Sequence, residues 1–207
     1  GYDIDGEKFS ILSQMMQDKQ NVIEAHELAK DGIVSHIYPM KGNEEAMGLN
    51  MLEHPDRKKE ANLAKTSGQY TIAGPFPLVQ GGNGALLFDP VYVKDEAGED
   101  TFWGFSILVL NWDHFMEEVE TYKLEDASYQ YLIWKNGTEL GEKLTIAQSE
   151  KFSFKDTLEV ACDVPNDTWY FVDRAKRPDG YRSHRLLLGS TDRSPCFRSV
   201  DGWLLAV

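Results

Sequence analysis

At 207 residues the chain can form one large domain or two smaller ones, and it can bury a core without help from metal or disulfides. An apolar content of 42% with 12% aromatics predicts a folded protein rather than a disordered one. The 21 basic residues against 34 acidic ones give a formal net charge of −13, which sets the surface against phosphate backbones and anionic lipid; nucleic acid is not an expected partner.

No apolar run approaches the roughly 18 residues that cross a bilayer. The longest, residues 105–110, is interrupted by Ser106, and no signal-peptide pattern precedes it. The expectation is a natively soluble protein or a soluble piece of a larger one. Cys162 and Cys196, if paired, close a loop of about 35 residues worth about 3–4 kcal/mol in the chain-entropy picture. As two separate buried thiols they read equally well.

The segment EKFSILSQMMQ (7–17) puts Phe9, Leu12 and Met16 on one helical face behind Asp5, a suitable N-cap, and that stripe is expected to join the core. NVIEAHEL and IVSHIYP are β-rich runs flanking Lys30-Asp31-Gly32. An Asp-Gly pair in that place predicts a tight hairpin, because both residues tolerate positive φ. Glu27 then falls opposite His36, a pair able to sense pH but more simply a surface contact.

Asn43 is placed to cap a short helix, EEAM, stopped by Gly48. A stronger helix follows, with Pro55 and Asp56 in its first turn, Lys65 near its end and Gly68 as its stop. Arg57, Lys58, Lys59 and Glu60 read as its solvated face. Strands are expected at 70–73, 85–93 and 101–110, separated by QGGNG (80–84) and KDEAGED (94–100). Asp113 is placed to cap an amphipathic helix carrying Phe115, Val119 and Tyr122.

In the second half, YQYLIW, the Asn136-Gly137 turn, FKDTLEVACDV and TWYFV read as antiparallel β. Helix and then consecutive antiparallel strands, twice over, points to α+β layers rather than βαβ units. No residue-level repeat accompanies them. Arginine is unevenly spread: Arg57 is the single one in residues 1–170, whereas 171–207 hold six.

Catalytic signatures are missing. QGGNG lacks the GK[ST] of a phosphate loop and leads into a strand. His26-Glu27 begins like HExxH, but position 30 is Lys, so the second ligand of a metal pair is lacking, and no CxxC occurs. No GxSxG elbow is present, and with 34 acids, carboxylate pairs carry no information. No catalytic residue, metal site or cofactor is expected. What stands out is a small, apolar, Gly-rich set. Ile72, Ala73, Gly74, Leu86, Phe88 and Gly104 are residue types that line a modest cavity, and Asn50 offers a donor and an acceptor beside them. The plainer alternative is that they pack together.

Four stretches carry a family resemblance: DGIVSHIYPMKGNEEAMGLNML, DRKKEANLAKTSG, TIAGPFPLVQGGNGALLFDPVY and FWGFSILVLNWDHF. From about Val22 to Phe115 the chain resembles a CHASE domain, the extracytoplasmic sensor module of transmembrane histidine kinases and diguanylate cyclases. VPNDTWYF and PDGY are similar to the family's closing region, with Tyr181 where Trp is usual.

The resemblance implies an α+β fold of two PAS-like antiparallel sheets with an N-terminal helix. Residues 1–20 would end that helix, 21–120 form a membrane-distal ligand-binding subdomain, and 121–207 form a membrane-proximal one. In plant cytokinin receptors of this family an Asp pairs with the adenine-like ring. Its counterpart here is Asn50, with a neighbouring main-chain contact at Ile72; Asn keeps hydrogen-bonding capacity but lacks the anionic acceptor.

The implied ligand is a small molecule (adenine-like, amino acid, peptide or organic acid). The implied receptor is a homodimer with membrane spans and an output domain outside this sequence. A protein-interaction module and an acidic hydrolase are the competing classes.

Overall fold

Asp5 caps the first helix, α1 (Gly6–Met15), its carboxylate accepting from the Glu7 and Lys8 amides at 3.0 and 3.2 Å. In the computed structural model, which describes residues 4–78, 82–137, 140–150, 152–153 and 157–175, the chain divides into two units, Gly1–Glu120 and Thr121–Val207.

The apolar stripe of α1 does not join the core. Only Phe9, edge-on to His36 of the second strand at 5.7 Å, and buried Ser13 face inward. Leu12 is 58% and Met15 77% exposed, with Ile11 and Met16 also open. The helix touches the sheet along a line of small residues rather than along its hydrophobic face. Gly6, for example, lies close enough to His36 that a Cβ there would sit 3.5 Å from the ring.

β1 (Ile23–Lys30) and β2 (Ile33–Tyr38) form the expected hairpin, with Asp31 at φ 54° and Gly32 at φ 86°. Its register differs from the expectation. An irregularity between Leu28 and Ala29 leaves Ser35 as an extra residue whose hydroxyl donates to Leu28 O, so Leu28 faces His36 and Glu27 faces Ile37. That one-residue slip brings buried Ile37, in place of His36, opposite Glu27, which lies on the core-facing phase of β1 with Ala25 and Ala29.

After β2, Asn43 precedes a single 3-10 turn, Glu44–Ala46, without capping it by its side chain; its amide instead donates to Pro39 O. Residues 48–51 run beside the start of β2, with Met51 N donating to Gly32 O and Asn50 bridging Ile33. Regular helix begins only at Lys58 (α2, Lys58–Ser67), after a tight turn at 54–57, and ends at Gly68 in the left-handed region.

β3 (Thr71–Pro77), β4 (Asn83–Lys94) and β5 (Asp100–Asn111) complete a five-stranded antiparallel sheet ordered β2-β1-β5-β4-β3. α3 (Trp112–Glu118) closes the unit. Asn111, not Asp113, caps it by accepting from His114 N at 3.0 Å, and the helix stops at Val119 before Glu120 turns to φ 56°. The segment is therefore not one amphipathic helix: Tyr122 begins a separate α4 (Tyr122–Asp126).

The second unit carries an antiparallel sheet of β6 (Tyr129–Asn136), β7 (Lys143–Gln148), β8 (Leu158–Val164) and β9 (Asp167–Ala175), ordered β7-β6-β9-β8. KLTIAQ, where the sequence reading expects no strand, forms β7. The two antiparallel sheets and the N-terminal helix are the expected α+β architecture. Cys162 is buried on β8; Cys196 and the PDGY segment lie outside the described residues.

Candidate functional site

One face of the first sheet is roofed. Ala25, Ala29, Val34, Ile37, Ala73, Leu86, Phe88, Phe105, Ile107 and Val109 point to one side and pack under Ala46 and Met51 of the β2–α2 connection and Ala61 and Ala64 of α2. Alanines at the two α2 positions let the helix settle close to the strands, and Thr71 fastens it by donating to Glu60 O at 2.9 Å. At one end of this face aromatic rings meet edge to face: Phe88 with Phe105 at 5.4 Å, and Phe105 with Phe102 at 4.9 Å.

The sequence-derived site residues distribute over this layer unevenly. Ala73 and Leu86 are register partners on β3 and β4, and with Phe88 they are buried on the roofed face. Ile72, half-buried, alternates to the other side of β3 and pairs with Leu87. Asn50 lies at the opposite edge, beside β2, where its Oδ1 accepts from Leu52 N at 3.1 Å.

The two glycines answer to backbone packing. Gly74, at φ 112°, sits where β3 breaks register, and a Cβ there would approach Gly84 O to 2.9 Å. At Gly104 a Cβ would come within 2.2 Å of Ala29 O, so glycine is what lets β5 lie against β1. Ala73, Leu86 and Phe88 thus gather on one face; Asn50 lies at the far edge, and Ile72 and Gly104 occupy the alternate phase of β3 and β5.

Two charged residues that the sequence reading placed on the surface lie within this layer. Glu27 is 2% and Arg57 3% exposed. Glu27 lies between Ala25 and Ala29 on the in-facing phase of β1 and is paired across β5 with Ile107. Arg57 is no part of a solvated face. Its guanidinium lies over the Phe76 ring at 5.3 Å, and Nη1 approaches Met51 Sδ at 3.9 Å.

Glu27 and Arg57 act on each other electrostatically, yet no ion pair within 4.0 Å joins them. Glu27 Oε2 and Arg57 Nε are both buried without a hydrogen-bond partner, as is Asn43 Oδ1 in the roofing connection. Burial pushes the Glu27 carboxyl up to about 7, against the opposing pull of Arg57. Burial likewise lowers the Arg57 pKa, against Glu27 and Asp56, and lowers that of His54, with Arg57 adding to the effect there.

Sequence offered two signals for this pair: Arg57 is the single arginine of the first 170 residues, and Glu27 occupies the phase of β1 shared by two alanines. Among the described residues no group of three or more His, Cys, Asp or Glu side chains gathers as a metal site would.

The model of the CHASE domain family matches residues 6–143, well over half of the chain. The chain belongs to the CHASE domain family. CHASE domains are extracytoplasmic sensor domains of receptors, and the noncatalytic character of this domain follows from that membership.

Among solved structures, the chain is similar to an extracellular ligand binding receptor from Desulfohalobium retbaense DSM5692, at 12% identity and a TM-score of 0.61. The similarity covers 82% of this chain and 33% of the receptor, so this CHASE chain spans about a third of that protein. At such identity the likeness is one of fold. No curated protein matches the sequence. Among the described residues no helix is long and apolar enough to cross a membrane.

Proposed function

We propose that this CHASE domain is the small-ligand-sensing part of a transmembrane receptor whose output is a diguanylate cyclase or a histidine kinase. The domain performs no chemistry itself. Its ligand occupies the roofed side of the first sheet, among Ala73, Leu86 and Phe88, with Asn50 at the edge and the main chain of Ile72, Gly74 and Gly104 behind it. It acts by binding one arrangement of strands and roof more tightly than another.

The observation that carries this reading is the burial of Glu27 and Arg57, each with an atom that has no hydrogen-bond partner and no ion pair joining them, inside a mostly apolar layer. A layer built only for stability gains nothing from them, because burying a charge without a partner costs several kcal/mol. Binding sites, by contrast, are apolar enclosures with a few convergent polar groups. In the full receptor the domain works as a homodimer. The open face of α1 (Ile11, Leu12, Met15, Met16) supplies apolar surface that a second copy can cover.

Thermal-shift screening of the purified domain against purines, amino acids, short peptides and carboxylates tests the reading. The expected result is stabilisation by one class, reduced in Asn50→Ala. No stabilisation by any class, with Asn50→Ala indistinguishable from the parent, would contradict it.

A further inference from the structure

A charge buried in a protein is normally paired, and here both partners of a pair are present without being joined. Glu27 is anchored by the β1 ladder, whose neighbours on the same face, Ala25 and Ala29, are completely buried. Arg57 has a long side chain able to swing, yet its guanidinium lies on Phe76 and against Met51. Buried Oε2 of Glu27 and Nε of Arg57 are left without partners.

Direct contact would recover much of what burial costs, so two opposite charges buried in one layer without an ion pair within 4.0 Å are groups that a third, bridging group would satisfy. That group must donate to the carboxylate and accept from the guanidinium. An anion alone would satisfy Arg57 and meet Glu27 as a like charge; a cation alone would reverse the fault. A molecule carrying both charges answers both ends.

We propose, building on the sensor reading above, that Glu27 and Arg57 are the two poles of a subsite for a zwitterion of the α-amino acid class, its ammonium donating to Glu27 and its carboxylate accepting from Arg57. The remainder of the molecule faces Ile107, Phe88 and Phe76, the apolar neighbours of the two poles, so an aliphatic or aromatic side chain is preferred to a charged one. The protonation of Glu27 gives the subsite a signature. With burial holding the empty site's carboxyl up near 7, an arriving ammonium draws it to the ionised form and a proton leaves for solvent.

Isothermal titration calorimetry of the purified domain, near neutral pH in two buffers of different ionisation enthalpy, tests this with L-leucine, leucinamide, 4-methylpentanoate and adenine. The expected result is binding of L-leucine with proton release, and binding about tenfold weaker or more for the two single-charged analogues. Glu27→Gln and Arg57→Met should each lose leucine binding. Both replace a buried charge by a neutral group of similar size, so folding is retained, which circular dichroism checks.

Leucinamide or 4-methylpentanoate binding as tightly as leucine, or Glu27→Gln binding leucine like the parent, overturns the proposal. Adenine binding that is weakened by Asn50→Ala and untouched by Glu27→Gln also overturns it, while leaving the sensor reading intact. No binding by any of the four, together with a blank thermal-shift screen, removes both.

Discussion

Each unit is built on an antiparallel sheet, but among the described residues the first buries two charged side chains that no ion pair joins, and the second pairs most of its buried polar groups. In the second unit Trp134 stacks on Tyr170 at 4.1 Å and 11°, lies under Lys143 Nζ at 3.5 Å, and donates from Nε1 to Glu159 at 3.2 Å. Tyr131 O–H donates to Thr121 at 3.0 Å, and Ser149 N donates to Tyr131 O at 3.0 Å; Gln130 Oε1 is the exception among the described residues. Among the described residues the first unit has the larger packed cluster, fifteen buried apolar residues against three, and could most easily do without charge. It nevertheless keeps Glu27 and Arg57 there. Departures from good packing sense concentrate where a protein works, which is why the roofed face, rather than the second sheet, is read as the sensing site.

The comparison can be broken by substitution, and the largest effect belongs to the first core. Phe88→Ala should remove about 3–5 kcal/mol from the first unit, measured by denaturant unfolding, because Phe88 is fully buried against Phe105. A loss below about 1 kcal/mol would mean the roofed face is loosely filled.

Next comes the pH dependence of Glu27. Its carboxyl is raised from 4.5 to about 7 in the folded domain, so its contribution to stability is full below about 4.5 and is lost as pH rises through 7. Glu27→Gln has nothing to ionise, and should gain on the parent by roughly 3 kcal/mol between those limits. His26 and His54, whose pKa values are lowered chiefly by burial, act in the opposite sense in both proteins and cancel in the difference. Parallel stability curves for variant and parent would show Glu27 to be paired.

Smaller effects sharpen the contrast. Trp134→Phe should cost the second unit about 1 kcal/mol through the lost Nε1 bond, with the first unit's transition unmoved. Asp5→Ala should cost about 1 kcal/mol or less at the α1 cap, visible as faster amide exchange at Glu7 and Lys8.

Much of the scaffold was legible in sequence, and the part that was not has identifiable causes. Asp5, Asp31-Gly32 and Gly68 act through local backbone geometry, so their residue types announce their positions. The extra residue Ser35 is a matter of tertiary pairing, and without it His36 rather than Ile37 falls opposite Glu27. Lys143–Gln148 has no clear apolar alternation, and four of its six residues are exposed, so its strand is imposed by pairing with β6. The helix at 112–126 reads as continuous because its break at Glu120 uses a left-handed residue that is neither Gly nor Asn.

Arg57 is the most instructive miss. A run of Arg-Lys-Lys-Glu signals solvent, yet the turn at 54–57 swings its first member beneath the helix while the rest stay on the outside or at its margin. The apolar set on β3 and β4 was legible as a core face; the charges that distinguish it from any other core face were not.

Hydrogen–deuterium exchange of the purified domain, with and without the compound that most raises its melting temperature, tests the central claim most directly. Protection is predicted in β1, in residues 48–64 and in β3 and β4, with the second sheet unchanged. Protection confined to β6–β9, or spread evenly over both units, would contradict the account.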